Sequence, residues 1–188
     1  VSDGAAALIL AADDAVGDFP RAVRLRARVQ VNDYLPMARR RVVDFEGPRR
    51  AWQQALQQAG CAVHDLSLAE VHDCFTIAEL LTYEAMGLAP AGQGHRLLED
   101  GTVLRSGRLP VNASGGLKAK GHPIGATGVS MHVVSAMQLM GEAGDLQVPG
   151  ATLADLDPTA IAKAREKFAA KHQQERWATD MRSEEHTS

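Results

Sequence analysis

Apolar residues recur along this chain at more than one period, and each period predicts a different element. Ala5 to Ala12 is a continuous apolar run entered through Ser2-Asp3-Gly4, which predicts a turn leading into a buried strand. Leu25, Ala27, Val29 and Val31 alternate with Arg26, Arg28 and Gln30, which predicts a half-buried strand with a solvated arginine face. From Pro48 the period becomes helical. Trp52, Ala55, Leu56 and Ala59 form one stripe, Gln53, Gln54, Gln57 and Gln58 cover the other side, and Gly60 supplies the stop. Leu68 to Asp73 reads as a short strand running into a helix over Cys74 to Met86, with Ile77, Leu80, Leu81 and Ala85 facing inward. Thr76 and Glu79 stand at capping-box spacing, so Cys74 falls at or just before a helix N-terminus, where exposed amides favour negative charge. Glu99-Asp-Gly-Thr102 predicts a hairpin turn with Val103 and Leu104 beyond it.

The pattern is interrupted by one unusual stretch, Asn112 to Gly128. His122 sits there among Gly115, Gly116, Gly121, Gly125, Ala126 and Gly128, and a helical pattern follows from Val129 to Met140. Glycine is favoured where backbone turns with positive φ or comes close to a ligand or another segment. His122 is therefore placed on a tight loop feeding a helix N-terminus, an arrangement suited to a reaction that develops an oxyanion. A phosphate loop is excluded because no Gly-Lys-Ser/Thr follows the glycines. Met131, Met137 and Met140 read as core filler.

Composition adds limits. With 188 residues, 45% of them hydrophobic, the chain is large enough for one domain with a real core. All 17 glycines precede residue 151, whereas charged residues crowd the stretch from Thr152 onward. That stretch reads as an exposed helix, capped by Asp157-Pro158 and running through Ile161, Ala164 and Phe168, then a disordered end, rather than a strand completing a sheet. The net charge of −3 argues against a nucleic-acid partner. Neither a secretory signal nor a membrane-length apolar run is present, and two cysteines make no disulfide framework, which points to a soluble, cytoplasmic setting. His72 and Cys74 share one face of a strand, but neither His64 nor Cys61 completes a ligand spacing, so no metal is expected.

Three ordered motifs carry a resemblance. Gly121-His-Pro-Ile-Gly-Ala-Thr-Gly128 resembles the Gly-His-Pro motif of the thiolase superfamily. Val71-His-Asp-Cys-Phe75 is similar to the His-Asp-Cys-Phe variant of sterol-carrier-protein-type thiolases, and Ser2-Asp-Gly-Ala-Ala-Ala7 to the family's entry into its C-terminal half. The resemblance covers about residues 1 to 153 and implies an α/β fold: a thiolase-like C-terminal half with a layered mixed β-sheet, buried helices and incompleteness at both ends. It implies acyl transfer between coenzyme A thioesters, by thiolysis of a 3-oxoacyl-CoA or the reverse Claisen condensation, within lipid metabolism and β-oxidation. A nucleophilic cysteine in the family's N-terminal half takes the acyl group. The matched His122 activates that thiol and donates to the thioester oxyanion, Cys74 serves as acid/base at the substrate α-carbon, and His72 takes the place of an asparagine that fixes an oxyanion-hole water. Asn112, Gly115, Gly116 and Gly121 are then expected to close around the acyl-CoA substrate. No cofactor is implied, and the complete parent is expected to be a dimer or tetramer.

The departures also carry expectations. The chain opens without methionine, the nucleophile half is absent, and neither Cys61 nor Cys74 lies in a nucleophile motif. Residues 154–188 are expected to be an unrelated charged helix and tail, ending in a segment, Arg182 to Ser188, that resembles a translated sequencing adapter. The alternative to an acyltransferase is a non-catalytic thiolase-like module that binds acyl-CoA or a partner.

Overall fold

The computed structural model describes residues 2–34 and 36–156. Within them the helical stripe after Pro48 folds as α1 (Glu46–Ala59), with Ala51, Trp52 and Ala55 buried and the four glutamines on the outward side. Gly60 ends it at φ 65°, and the amides of Gly60 and Cys61 donate back to the carbonyls of Gln57 and Leu56. This Schellman closure satisfies carbonyls that the helix leaves open.

The chain then enters β1 (Leu68–Glu70), buried at every position. It pairs in parallel with β2 (Ala154–Leu156), Leu68 opposite Ala154. On its other edge Ala69 bridges Val111, donating to the Pro110 carbonyl at 2.9 Å and accepting from the Asn112 amide at 2.8 Å. Successive side chains on a strand point to opposite faces. Ala69 and Val71 accordingly join Trp52, Tyr83, Met86, Leu109 and Val111 in the main core, while Leu68 joins Ala113 and Val148 on the other side. The Trp52 side carries α1 packed on α2 (Thr76–Met86); α5 (Thr127–Met140) packs against both strands. In α5 the fully buried Gln138 behaves like backbone: its Nε2 donates to the Leu146 carbonyl and its Oε1 accepts from the Val148 amide, both at 2.7 Å. That pair fastens the return loop and satisfies a polar group that burial would otherwise penalise.

Several sequence expectations are corrected. Ala5 to Ala12 forms no strand, and Ile9 and Leu10 are 80% and 55% exposed. A strand is a ladder, and no described segment offers this one its backbone. Leu25 to Val31 keeps its alternation, with Ala27, Val29 and Val31 half-buried, yet it is no strand either. Side-chain bonds hold it instead: the Arg28 amide donates to Gln58 Oε1 at 2.6 Å and the Arg26 guanidinium reaches the Ala59 carbonyl. The expected hairpin at Glu99 to Thr102 is a turn after a short helix, α3 (Arg96–Glu99), with no strand beside it. Asp100 Oδ1 takes the Thr102 amide at 2.9 Å, and the buried Val103 donates its amide to Leu97 rather than to a hairpin partner. In α2 the buried residues are Thr82, Tyr83, Glu84, Ala85 and Met86, and Ile77, in the first turn, is 58% exposed. Phe75, in extended backbone, is the N-cap and makes no side-chain cap bond, so Thr76 falls inside the helix and the capping box does not form.

The sheet among the described residues is therefore a parallel pair with one bridge rather than a layered mixed sheet. Ala154–Leu156, expected to open an unrelated segment, is a strand. Ser67 stitches its approach in place, its Oγ accepting the Thr152 and Leu153 amides at 3.1 and 3.3 Å. The helix expected after Asp157 and the tail to Ser188 lie outside the described residues. No helix among the described residues is long and apolar enough to cross a membrane.

Trp52, fully buried, and Ile77, mostly exposed, make opposite predictions. Trp52→Ala is expected to cost about 3–5 kcal/mol in urea denaturation, and Ile77→Ala no more than about 0.5 kcal/mol.

Candidate active site

The site is built where β1 ends. Glu70 is fully buried, a position at which a carboxylate needs both a counter-charge and hydrogen bonds. Its Oε1 accepts the Ser114 amide at 3.1 Å and its Oε2 the Ser114 hydroxyl at 2.6 Å, while Lys120 Nζ stands 3.7 Å from Oε2. Three residues on, the buried Asp73 accepts the Leu117 amide with both oxygens, at 2.9 and 3.1 Å. Ser114, Leu117 and Lys120 belong to or flank α4 (Gly116–Lys120), so two carboxylates of one segment grip that helix at both ends. Glycine is required at 116: its φ is 62°, and a methyl there would sit 2.2 Å from Asp73 Oδ2.

His122 follows α4 by way of Gly121. The loop is held from outside by the chain's first residues, since a methyl on Gly121 would meet Ser2 Oγ at 2.5 Å and one on Gly4 the Pro123 ring at 2.8 Å. The Ser2-Asp-Gly and Gly-His-Pro stretches thus touch. From within, Thr127 orients the ring. Its hydroxyl donates to the Pro123 carbonyl at 3.1 Å and lies 2.8 Å from His122 Nδ1. A hydroxyl has one hydrogen. In the arrangement that keeps that hydrogen on Pro123, the imidazole Nδ1–H donates to Thr127 and Nε2 is the nitrogen with the lone pair.

His72, between the two clamping carboxylates, meets His122 edge to face, ring centroids 5.1 Å apart at 74°. Cys74 is exposed on the same junction, immediately before the Phe75 N-cap. Cys61 lies half-buried in the exit from α1, and neither cysteine is in a disulfide. The structure thus brings His72 and His122 together and places Cys74 on the segment that carries His72.

The expected substrate-contact residues divide. Asn112, at φ 53°, is engaged at both ends: Oδ1 accepts the Val71 amide at 2.8 Å and Nδ2 donates to Glu79 Oε1 at 3.3 Å. Gly116 is buried against Asp73 and Gly121 half-buried beside Ser2, which leaves Gly115, the N-cap of α4, exposed. Glu79 also accepts the Tyr83 hydroxyl at 2.8 Å. Burial holds the Glu79 carboxyl above its usual range and the Asp73 charge adds to this, against the Tyr83 and Asn112 hydrogen bonds and the Lys118 charge. Burial, then the Glu79 charge, likewise pushes the Tyr83 hydroxyl up. Among the described residues no group of three or more His, Cys, Asp or Glu is arranged to hold a metal ion.

Sequence reasoning misses Glu70, Asp73, Glu79, Lys120 and Thr127 as parts of the site. A signal exists for Glu70: a carboxylate inside an otherwise apolar strand has to be paired.

A family model described as thiolase C-terminal domain-like matches residues 30–162. Sterol carrier protein 2 of Bos taurus is 42% identical over 161 residues, which cover 81% of this chain and 30% of that protein. Acetyl-CoA acetyltransferase of Methanothermobacter thermautotrophicus is 40% identical over 155 residues, 81% of this chain and 40% of that one. Benzoylsuccinyl-CoA thiolase subunit BbsB of Thauera aromatica is 31% identical over 150 residues, covering 79% of this chain and 39% of its own. The chain thus spans 30–40% of the length of these curated relatives. A solved Ltp2-ChsH2(DUF35) aldolase shares the fold, with a TM-score of 0.59 and 23% identity over 67% of this chain and 33% of that one.

The raised Glu79 carboxyl has a pH consequence. A group that binds its proton more tightly when folded contributes stability fully below its unfolded pKa and loses it as pH rises through the folded value. Gln at this position keeps an acceptor for Tyr83 and Asn112 and never ionises. Glu79→Gln is expected to raise Tm near pH 7, with the gain vanishing below about pH 4. Thermal melts across that range check it, and a gain independent of pH contradicts it.

Proposed function

This chain belongs to the thiolase C-terminal domain-like family, and from that premise we propose that it is the C-terminal part of an acyl-CoA acyltransferase that cleaves 3-oxoacyl-CoA by thiolysis or runs the reverse condensation. The observation that carries the reading is the pairing of His72 and His122 at 5.1 Å, with His122 Nδ1 bound to Thr127. A neutral imidazole with its Nε2 lone pair outward takes the proton of an attacking thiol. The imidazolium so formed carries an Nε2–H that donates to the oxyanion developing on the thioester carbonyl. The acyl-accepting thiol comes from residues outside this chain, since Cys61 is half-buried in the exit from α1 and Cys74 has the other task. When the carbon–carbon bond breaks, the Cys74 thiol protonates the departing α-carbon; the resulting thiolate takes the proton of the incoming coenzyme A thiol, which closes the proton balance. His72, edge-on to His122, offers a ring N–H to the water that shares the oxyanion. The substrate is a coenzyme A thioester, and no further cofactor enters these steps.

In a polypeptide of the relatives' full length carrying this domain, His122→Ala is expected to slow acylation by 3-oxoacyl-CoA about 10²–10³-fold. Cys74→Ala is expected to spare acylation while slowing the carbon–carbon step about 10²–10⁴-fold. Single-turnover kinetics separate the two steps. Small, equal effects contradict the roles, and tight acyl-CoA binding without turnover in the unsubstituted protein favours the non-catalytic binding module.

A further inference from the structure

We propose that Glu70 and Lys120 are positioning residues that set the distance between the two imidazoles of the site, an inference that rests on the acyl-transfer reading for its catalytic meaning. Glu70 lies two residues before His72, on the side of β1 that faces α4, and is fully buried. Lys120 is the last residue of α4 and lies two residues before His122. The ion pair therefore joins the two segments at the same short remove from each imidazole. The two partners are held differently. Glu70 is fixed to Ser114 by two hydrogen bonds, whereas Lys120 Nζ is buried and makes no hydrogen bond, its counter-charge being Glu70 Oε2 at 3.7 Å. A buried ammonium without a hydrogen bond is held by its counter-charge, so attraction to Glu70 draws the C-terminal end of α4, with Gly121 and His122 after it, onto β1. Asp73 fixes the other end of the same helix through the Leu117 amide. With that end pinned, the Glu70–Lys120 separation sets how close His122 comes to His72.

Such a pair could serve only to neutralise a buried charge, and the test has to separate that role from positioning. In this chain, ring-to-ring cross-peaks between His72 and His122 are measured by NMR alongside Tm for Lys120→Met, Lys120→Arg and the double variant Glu70→Gln/Lys120→Met. The double variant leaves no unpaired buried charge, and the side-chain amide it introduces on β1 keeps an acceptor for Ser114. Positioning predicts that it keeps a cooperative melt near the wild-type Tm yet loses the cross-peaks, while Lys120→Arg retains them. Cross-peaks retained in the double variant overturn the proposal. Failure of the double variant to fold overturns it too, because the pair would then be a stabilising element. In the full-length protein the double variant is expected to lower kcat for thiolysis up to about 100-fold with little change in KM, the signature of displaced catalytic geometry. A loss of kcat that raising stability alone restores, for example with added osmolyte, counts against it. If the unsubstituted full-length protein shows no thiolysis while the NMR result holds, the acyl-transfer reading fails and the positioning role stands.

Discussion

A carboxylate removed from water has to be paired and hydrogen-bonded, and Glu70, fully buried on the central strand, imposes that requirement on everything around it. Its two oxygens recruit the Ser114 amide and hydroxyl and the Lys120 ammonium, which fixes where α4 lies. Asp73, on the same segment, supplies the second hold at Leu117. Because side chains alternate along a strand, Ala69 and Val71 are left free to join the Trp52–Tyr83 core on the opposite side. The polar side of one short strand thus locates α4 while its apolar side anchors the segment to α1 and α2.

Rigidity follows from that division. β1 is only three residues long, yet it is bonded on both edges and buried at every position. Residues extending from it inherit its fixity, which is where His72, Asp73 and Cys74 stand. Asn112 closes the junction laterally: in its left-handed conformation it takes the Val71 amide and donates to Glu79, so the bridge at Val111 and the first turn of α2 hold the strand end between them. Side chains carried on a fixed scaffold keep their mutual geometry without ordering when a ligand arrives.

What is legible in the sequence follows from whether a residue's partners are local. The stripe of Trp52, Ala55 and Leu56, and the glycine at 60, describe α1 almost to its ends because helical bonds connect neighbours along the chain. Strands carry no such guarantee. Ala5 to Ala12 and Leu25 to Val31 have the composition and alternation of strands, but a ladder needs a second segment, and the described residues supply none. The short Leu68–Glu70 strand succeeds because Val111 and Ala154 flank it from more than forty residues away. Ile77 is misplaced for a related reason: the helical period of α2 is correct, but the face that is buried depends on where α1 crosses it, which is information external to the segment.

The site shows the same boundary within a single residue. His122 is conspicuous because its glycines are adjacent, and the partner of its ring, Thr127, is five residues away at the start of α5. The hold on its ring is thus a local property, supplied by a hydroxyl within His-Pro-Ile-Gly-Ala-Thr. Its separation from His72 is not local. That distance depends on Glu70 facing α4 rather than the main core, on Gly116 admitting Asp73, and on Lys120 having no partner stronger than Glu70. Neither the Glu70–Lys120 pairing nor the Asp73 contact of Gly116 is visible in the sequence, because the partners lie more than forty residues apart. Burial converts them into constraints, since a charge that is replaceable at the surface has few alternatives once water is excluded. The identity of a reactive group can therefore be legible in sequence while its working geometry is encoded in polar residues whose significance only burial reveals.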